Sequence, residues 1–128
     1  MRLFRPKKTL PRRAALAGRP VRLPAESVTE TGEGGAEVAV RLPRPRWQTW
    51  LGAEEMAVRR FELDELGREV YDGCDGRTEV SALVKRFARR HGMSLAEAEM
   101  AVTQFLRTLM ERGLVGMEVD REIRERTE

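Results

Sequence analysis

Ser94-Leu95-Ala96-Glu97-Ala98-Glu99-Met100-Ala101-Val102-Thr103-Gln104-Phe105-Leu106-Arg107-Thr108-Leu109-Met110-Glu111-Arg112-Gly113 is the stretch that decides the fold. Its first four residues form a capping-box pattern, in which the Ser94 side chain accepts from the Glu97 amide and the Glu97 carboxylate reaches back to the Ser94 amide. Behind that start, Leu95, Ala98, Val102, Phe105, Leu106 and Leu109 recur at the three- and four-residue spacing of one buried helical face. Gly113 follows Arg112 where a left-handed residue ends a helix. A long amphipathic helix is predicted, and the rest of the chain must supply what its stripe packs on.

Upstream, Val80, Leu83, Val84 and Phe87 make a second apolar stripe, with Lys85, Arg86, Arg89 and Arg90 on the outer face. Thr78 is the expected cap of that helix, and His91-Gly92 its end. Asp64 is placed to cap a still earlier helix, in which Leu66, Val70 and Cys74 share a face before Gly73 and Gly76 turn the chain. Ahead of the helices the pattern changes to alternation. Residues 56–63 put Phe61 and Leu63 on one face and Arg60 and Glu62 on the other. Residues 27–31 and 37–42 alternate on either side of Gly32, Glu33, Gly34 and Gly35, which predicts a β-hairpin.

An α+β fold follows, with an N-terminal hairpin and a third short strand packed on three helices. Residues 1–25 read as a basic, flexible arm: Arg2, Arg5, Lys7, Lys8, Arg12, Arg13, Arg19 and Arg22 meet no acid before residue 26. Pro6, Pro11, Pro20 and Pro24 punctuate it and oppose a continuous helix or central strand, so ordered structure is expected to begin near Glu26. The ordered domain is placed at residues 26–116, ending in a short apolar exit at Leu114 and Val115, and residues 117–128 form a charged tail. In the connector after Pro43 and Pro45, Trp47, Trp50 and Leu51 fall on one side of a helical turn. They are read as a lid on a small core, the alternative being a docking patch.

Aromatics make up only 5% of the 128 residues, so the core has to be aliphatic. Cys74 is the sole cysteine, which excludes an intrachain disulfide and a cysteine-based zinc cluster, and its place on an apolar face marks it as a small buried hydrophobe. His91 is the sole histidine and suits the cationic end of a helix. Residues 32–35 are glycine-rich but precede a strand, and so lack the helix N-terminus of a phosphate cradle. Neither catalysis, nor a metal, nor a cofactor is predicted. There is no run of about 18 apolar residues to span a bilayer, and the expectation is a cytoplasmic protein without a membrane partner.

Residues 61–116 resemble the PqqD family, the small partner proteins first named in pyrroloquinoline quinone biosynthesis. The resemblance is carried by Phe61-Glu62-Leu63-Asp64-Glu65-Leu66-Gly67, by Val70, by Cys74-Asp75-Gly76 with Thr78 and Val80, and by the helix from Ser94 through Phe105-Leu106 to Arg112-Gly113-Leu114-Val115. The basic arm and the 47–55 connector depart from the compact family pattern. The resemblance implies a fold like a winged helix-turn-helix. It also implies a non-catalytic role: holding the leader segment of a ribosomally made precursor peptide for a radical SAM or other modifying enzyme. An extended peptide can add to an exposed strand edge while its side chains enter a neighbouring groove. That places one wall at Val58, Arg59, Arg60 and Phe61, and the other on the long helix at Met100, Thr103, Gln104 and Arg107. A monomer or weak homodimer is expected. The competing class, a winged-helix nucleic-acid-binding regulator, is disfavoured because Glu97, Glu99 and Glu111 outnumber Arg107 and Arg112 on the helix that would read bases.

Overall fold

The structure is a computed structural model and describes residues 3–4 and 11–118. The elements in order are β1 (Leu3–Phe4), α1 (Arg12–Ala17), β2 (Arg19–Arg22), β3 (Ser27–Glu30), a 3-10 turn (Gly32–Gly34), β4 (Ala36–Pro43), α2 (Arg46–Trp50), β5 (Met56–Leu63), α3 (Glu65–Asp72), α4 (Val80–His91), α5 (Leu95–Glu111) and β6 (Val115–Glu118). The fold is α+β, with two small antiparallel sheets ordered β1-β6-β2 and β3-β4-β5. The chain divides into two compact units. One holds the described residues up to Leu23 together with those from Glu69 onward, and the other is Pro24–Arg68.

In the first unit α5 supplies Ala98, Val102, Leu106 and Leu109 to the core, and α4 supplies Val80, Leu83, Val84, Phe87 and Ala88. The predicted capping box is present in full: the Glu97 amide donates to Ser94 Oγ at 3.1 Å, and the Ser94 amide donates to Glu97 Oε1 at 3.4 Å. Gly113 has a φ of 74°, the left-handed conformation that only glycine adopts without strain. Two members of the expected stripe sit differently: Phe105 is half-buried, and Leu95, in the first turn, is exposed. Thr78 does not cap α4. Glu79 occupies that position without a side-chain bond, while the Thr78 hydroxyl donates to Asp75 Oδ2 at 3.0 Å and the Arg77 and Thr78 amides both donate to Asp75 Oδ1 at 2.8 Å. A carboxylate with three donors outcompetes the helix for that hydroxyl, and the same bonds hold the Asp75 carboxyl below its ordinary range.

The expectation that order begins near Glu26 is corrected by α1 and β2. Pro20 lacks an amide donor, yet β2 is an outer strand of its sheet, laddered to β6 on one side and met on the other by the single bridge Val21↔Asp75, a place proline tolerates. Pro20 is fully buried there, and its carbonyl accepts from the Gly76 amide at 2.8 Å. Gly18 accepts from the Val80 amide at 2.9 Å, so this stretch also meets the start of α4. The tail expected from residue 117 is corrected in the same way, since Met117 and Glu118 are buried in β6. The rest of the arm and tail, residues 1–2, 5–10 and 119–128, lies outside the described residues.

In the second unit the predicted hairpin and third strand form one sheet, with β4 in the centre. The turn between β3 and β4 closes with the Thr31 amide donating to the Gly35 carbonyl at 3.1 Å. A Cβ on Gly35 would run into the Leu63 carbonyl oxygen, so the backbone approach itself requires glycine. Asp64 caps α3 as expected, accepting from the Gly67 amide at 2.7 Å.

Candidate functional site

The eight residues named as peptide-binding fall on two elements, β5 and α5, and β5 belongs to the second unit while α5 belongs to the first. β5 is an outer strand, paired with β4 from Pro43↔Met56 to Ala36↔Leu63 and with no other strand among the described residues. Alternation puts Val58 and Arg60 on one face of the sheet, and Arg59 and Phe61 on the other. The first face is polar and carries the Arg60–Glu37 ion pair at 3.2 Å. The second carries Val38, Val40 and Leu63, all buried. No single face collects the four residues, so the backbone edge is what they share. Val58, 46% exposed, is an apolar residue on the polar face.

On α5, Met100, Thr103, Gln104 and Arg107 occupy one arc opposite the buried stripe, as their spacing requires. Met100 is 74% exposed, and Gln104 and Arg107 are exposed. Thr103 is half-buried, and its hydroxyl donates to the Glu99 carbonyl at 2.6 Å; that bond inside the helix leaves the hydroxyl less available to a ligand. Beside this arc Arg12 of α1 grips Glu99 with two bonds, Nε to Oε2 at 2.8 Å and Nη2 to Oε1 at 2.7 Å. The guanidinium holds the Glu99 carboxyl below its ordinary range, and one of the acids counted on this helix is thereby neutralised. Sequence reasoning missed this contact, because it joins residues 87 positions apart and no local period signals it.

The other chemical candidates resolve as structure. Cys74 is fully buried, its thiol donates to the Val70 carbonyl at 3.1 Å, and burial pushes its pKa up to about 12, which suppresses the thiolate a nucleophile needs. Arg22 lies with its guanidinium carbon 5.9 Å from the centre of the Tyr71 ring and donates to the Asp72 carbonyl at 2.6 Å, tying β2 to the end of α3. His91 Nε2 lies 3.0 Å from Glu69 Oε1, and its ring packs on Phe87 with centroids 4.5 Å apart. Among the described residues no group of three His, Cys, Asp or Glu side chains is placed to hold a metal ion, and no helix is long and apolar enough to cross a membrane.

The lid expected of the connector is corrected. Trp47, Trp50 and Leu51 are 62%, 85% and 70% exposed. The five-residue α2 sits at the end of the β4–β5 hairpin, where the Arg44 amide still donates to the Glu55 carbonyl at 2.8 Å, and the sheet's buried residues lie back along β4. One depression of the second unit, about 590 Å³, lies between the 3-10 turn and the start of α3 and is lined by Glu33, Glu62, Asp64 and Glu65, a surface that repels acidic ligands.

Residues 56–115 match the family model described as coenzyme PQQ synthesis protein D (PqqD), just under half of the chain. No curated protein and no solved structure matches. The matched stretch begins with the first residue of β5 and ends with the first residue of β6, taking in α3, α4 and α5. It contains all eight residues that sequence reasoning had singled out, and this chain therefore carries a PqqD-like segment over residues 56–115.

Proposed function

We propose that the protein is a non-catalytic binding module for the leader segment of a ribosomally made precursor peptide, which it presents to a modifying enzyme such as a radical SAM protein. The leader adds as a strand to β5 and touches α5 through Met100, Gln104 and Arg107. The observation that carries this reading is the outer strand β5 at the start of the PqqD-like segment, eight residues long and paired on one side. Such an edge offers main-chain donors and acceptors to an extended peptide. The sheet's other outer strand, β3, has four residues and lies outside the matched segment, which favours β5. A buried, protonated thiol and a histidine engaged by Glu69 support binding rather than chemistry. Winged-helix-like packing of the domain, a cytoplasmic setting and a monomeric or weakly dimeric state belong to the same proposal.

The test is a titration of the isotope-labelled chain with a leader peptide encoded beside its gene. Amide signals of Val58, Arg59, Arg60 and Phe61 are expected to shift together with those of Met100, Gln104 and Arg107. In an antiparallel strand successive amides point to opposite sides, so one of Val58→Pro and Arg59→Pro removes an outward donor while the other breaks the β4 ladder. The outward one should weaken binding at least tenfold with the sheet intact. Arg107→Glu should weaken an acidic leader in a way that fades as salt rises. If no peptide moves β5, and duplex DNA instead shifts Lys85, Arg86, Arg89 and Arg90, the nucleic-acid reading replaces this one.

A further inference from the structure

The corner between α4 and α5 has an apolar floor flanked by two cations, Lys85 and Arg89. Ala88, Met93 and Leu95 line a depression of about 470 Å³ whose other walls are Lys85 and Arg89. Leu95 occupies a position of the buried stripe but lies in the first turn of α5, where it stays 58% exposed. The corner is firmly built. Gly92 takes the left-handed conformation at φ 61°, and the amides of both Gly92 and Met93 donate to the Ala88 carbonyl, so Met93 is pinned against the last turn of α4 just before the capping box starts α5.

The charge on this corner is one-sided. From Val80 to His91, α4 contains Lys85, Arg86, Arg89 and Arg90 and no acid. Glu69 answers Arg90, at 3.8 Å, and His91. Lys85, Arg86 and Arg89 are exposed and have no ion pair among the described residues. The helix dipole accounts for cations in the last turn, Arg89 to His91, but not for Lys85 and Arg86 a turn earlier, nor for apolar side chains left open between them.

We propose that this corner docks an acidic, amphipathic peptide segment of a partner protein, whose apolar side chains fill the depression while its carboxylates meet Lys85, Arg86 and Arg89. Cations beside an apolar floor are complementary in charge to such a segment, and the arrangement pairs a desolvated centre with a polar rim. Nucleic acid would use the cations and waste the floor. On α5 the corner is separate from the arc assigned to the leader, because at 100° per residue Leu95 lies about 130° around the helix from Met100, Thr103, Gln104 and Arg107. The inference does not depend on the leader-binding role.

Three probes decide it: a synthetic amphipathic peptide of glutamate and leucine at helical spacing, a polyglutamate peptide of equal charge, and a short DNA duplex, each titrated into the labelled full chain. The amphipathic peptide is expected to shift Lys85, Ala88, Arg89, Met93 and Leu95 and to bind at least fivefold more tightly than polyglutamate. Lys85→Glu with Arg89→Glu should lose that binding, and Leu95→Asp, at an exposed site, should reduce it to the polyglutamate level. Equal binding of the two peptides would make the site a mere cation patch, tighter binding of DNA at the same residues would make it a phosphate surface, and silence of these five signals would mean no site. Each of those three results overturns the proposal.

Discussion

The two compact units dispose of their large apolar side chains in opposite ways. In the unit built on α4 and α5, leucines, valines and Phe87 turn inward, and among the described residues Leu95 and Met100 are the large hydrophobics left exposed. In the unit of β3, β4 and β5, Val28, Trp47, Trp50, Leu51, Met56 and Val58 are all exposed, while burial concentrates on the central strand at Ala36, Val38, Ala39 and Val40. A helix with one apolar stripe can satisfy it with one neighbour. A three-stranded sheet has two faces and two edges to satisfy, and here, among the described residues, each outer strand ladders with β4 alone. Both tryptophans of the chain sit at the end of the β4–β5 hairpin. The helical unit reads as the source of stability and the strand unit as the source of surface.

If that division is right, the largest effect should come from a segment the sequence makes look dispensable. Deleting residues 1–23 removes α1, β2, the buried Pro20 and its bond from Gly76, and leaves Val115, Gly116, Met117 and Glu118 without the β2 ladder. Each buried apolar side chain contributes roughly 1.5 to 3 kcal/mol, and several are exposed at once, against a total stability of about 5 to 15 kcal/mol. Loss of cooperative unfolding in urea is the expected outcome. A truncated chain that melts like the full one would return residues 11–23 to the status of an arm.

The next effect is local. Leu109→Ala empties a fully buried site on α5 and should cost about 3 kcal/mol, measured by urea unfolding followed by circular dichroism. Phe105, which its spacing places in the same stripe, is only half-buried, so the larger ring should cost less than full burial would demand. A loss at Leu109 below about 1 kcal/mol would show that the helical unit is not where the stability resides.

What the sequence made legible was whatever is local. The capping box at Ser94 and Glu97, the stop at Gly113, the alternation of Met56–Leu63 and the buried Cys74 all follow from neighbours within a few residues, and the structure has each of them. The pairing of β2 with β6 joins Arg19 to Glu118, and that of Arg12 with Glu99 joins α1 to α5; no periodicity records such partners. Pro20 misled because proline excludes only a central strand, and whether a strand is central depends on the rest of the sheet. Thr78 misled because Asp75, three residues before it, was a better acceptor for its hydroxyl. At the candidate site, the α5 arc was legible from spacing, whereas the open floor at Leu95 was not, since periodicity names a face and does not say how far along a helix the cover extends.

The smallest effect is the one that separates the two units most cleanly. Trp50 is the larger kind of side chain, and in the helical unit its truncation would cost as much as any core residue, because a buried aromatic lost to alanine removes both its transfer energy and its packing. At 85% exposure Trp50 has almost none of that to lose. The turn that carries it is closed by the backbone, with the Leu51 amide donating to the Trp47 and Gln48 carbonyls at 3.2 and 3.1 Å and the Gly52 amide to Thr49 at 3.0 Å, so the helix does not depend on the ring. Trp50→Ala should therefore leave stability unchanged within about 0.5 kcal/mol, as exposed substitutions do. The expected readout is a urea midpoint that coincides with the parent's, with the loss of one of two tryptophans appearing only in fluorescence amplitude. A drop of about 2 kcal/mol or more, the scale of a buried aromatic, would mean that Trp50 is packed in solution, and the strand unit would then have a core of its own rather than an open surface.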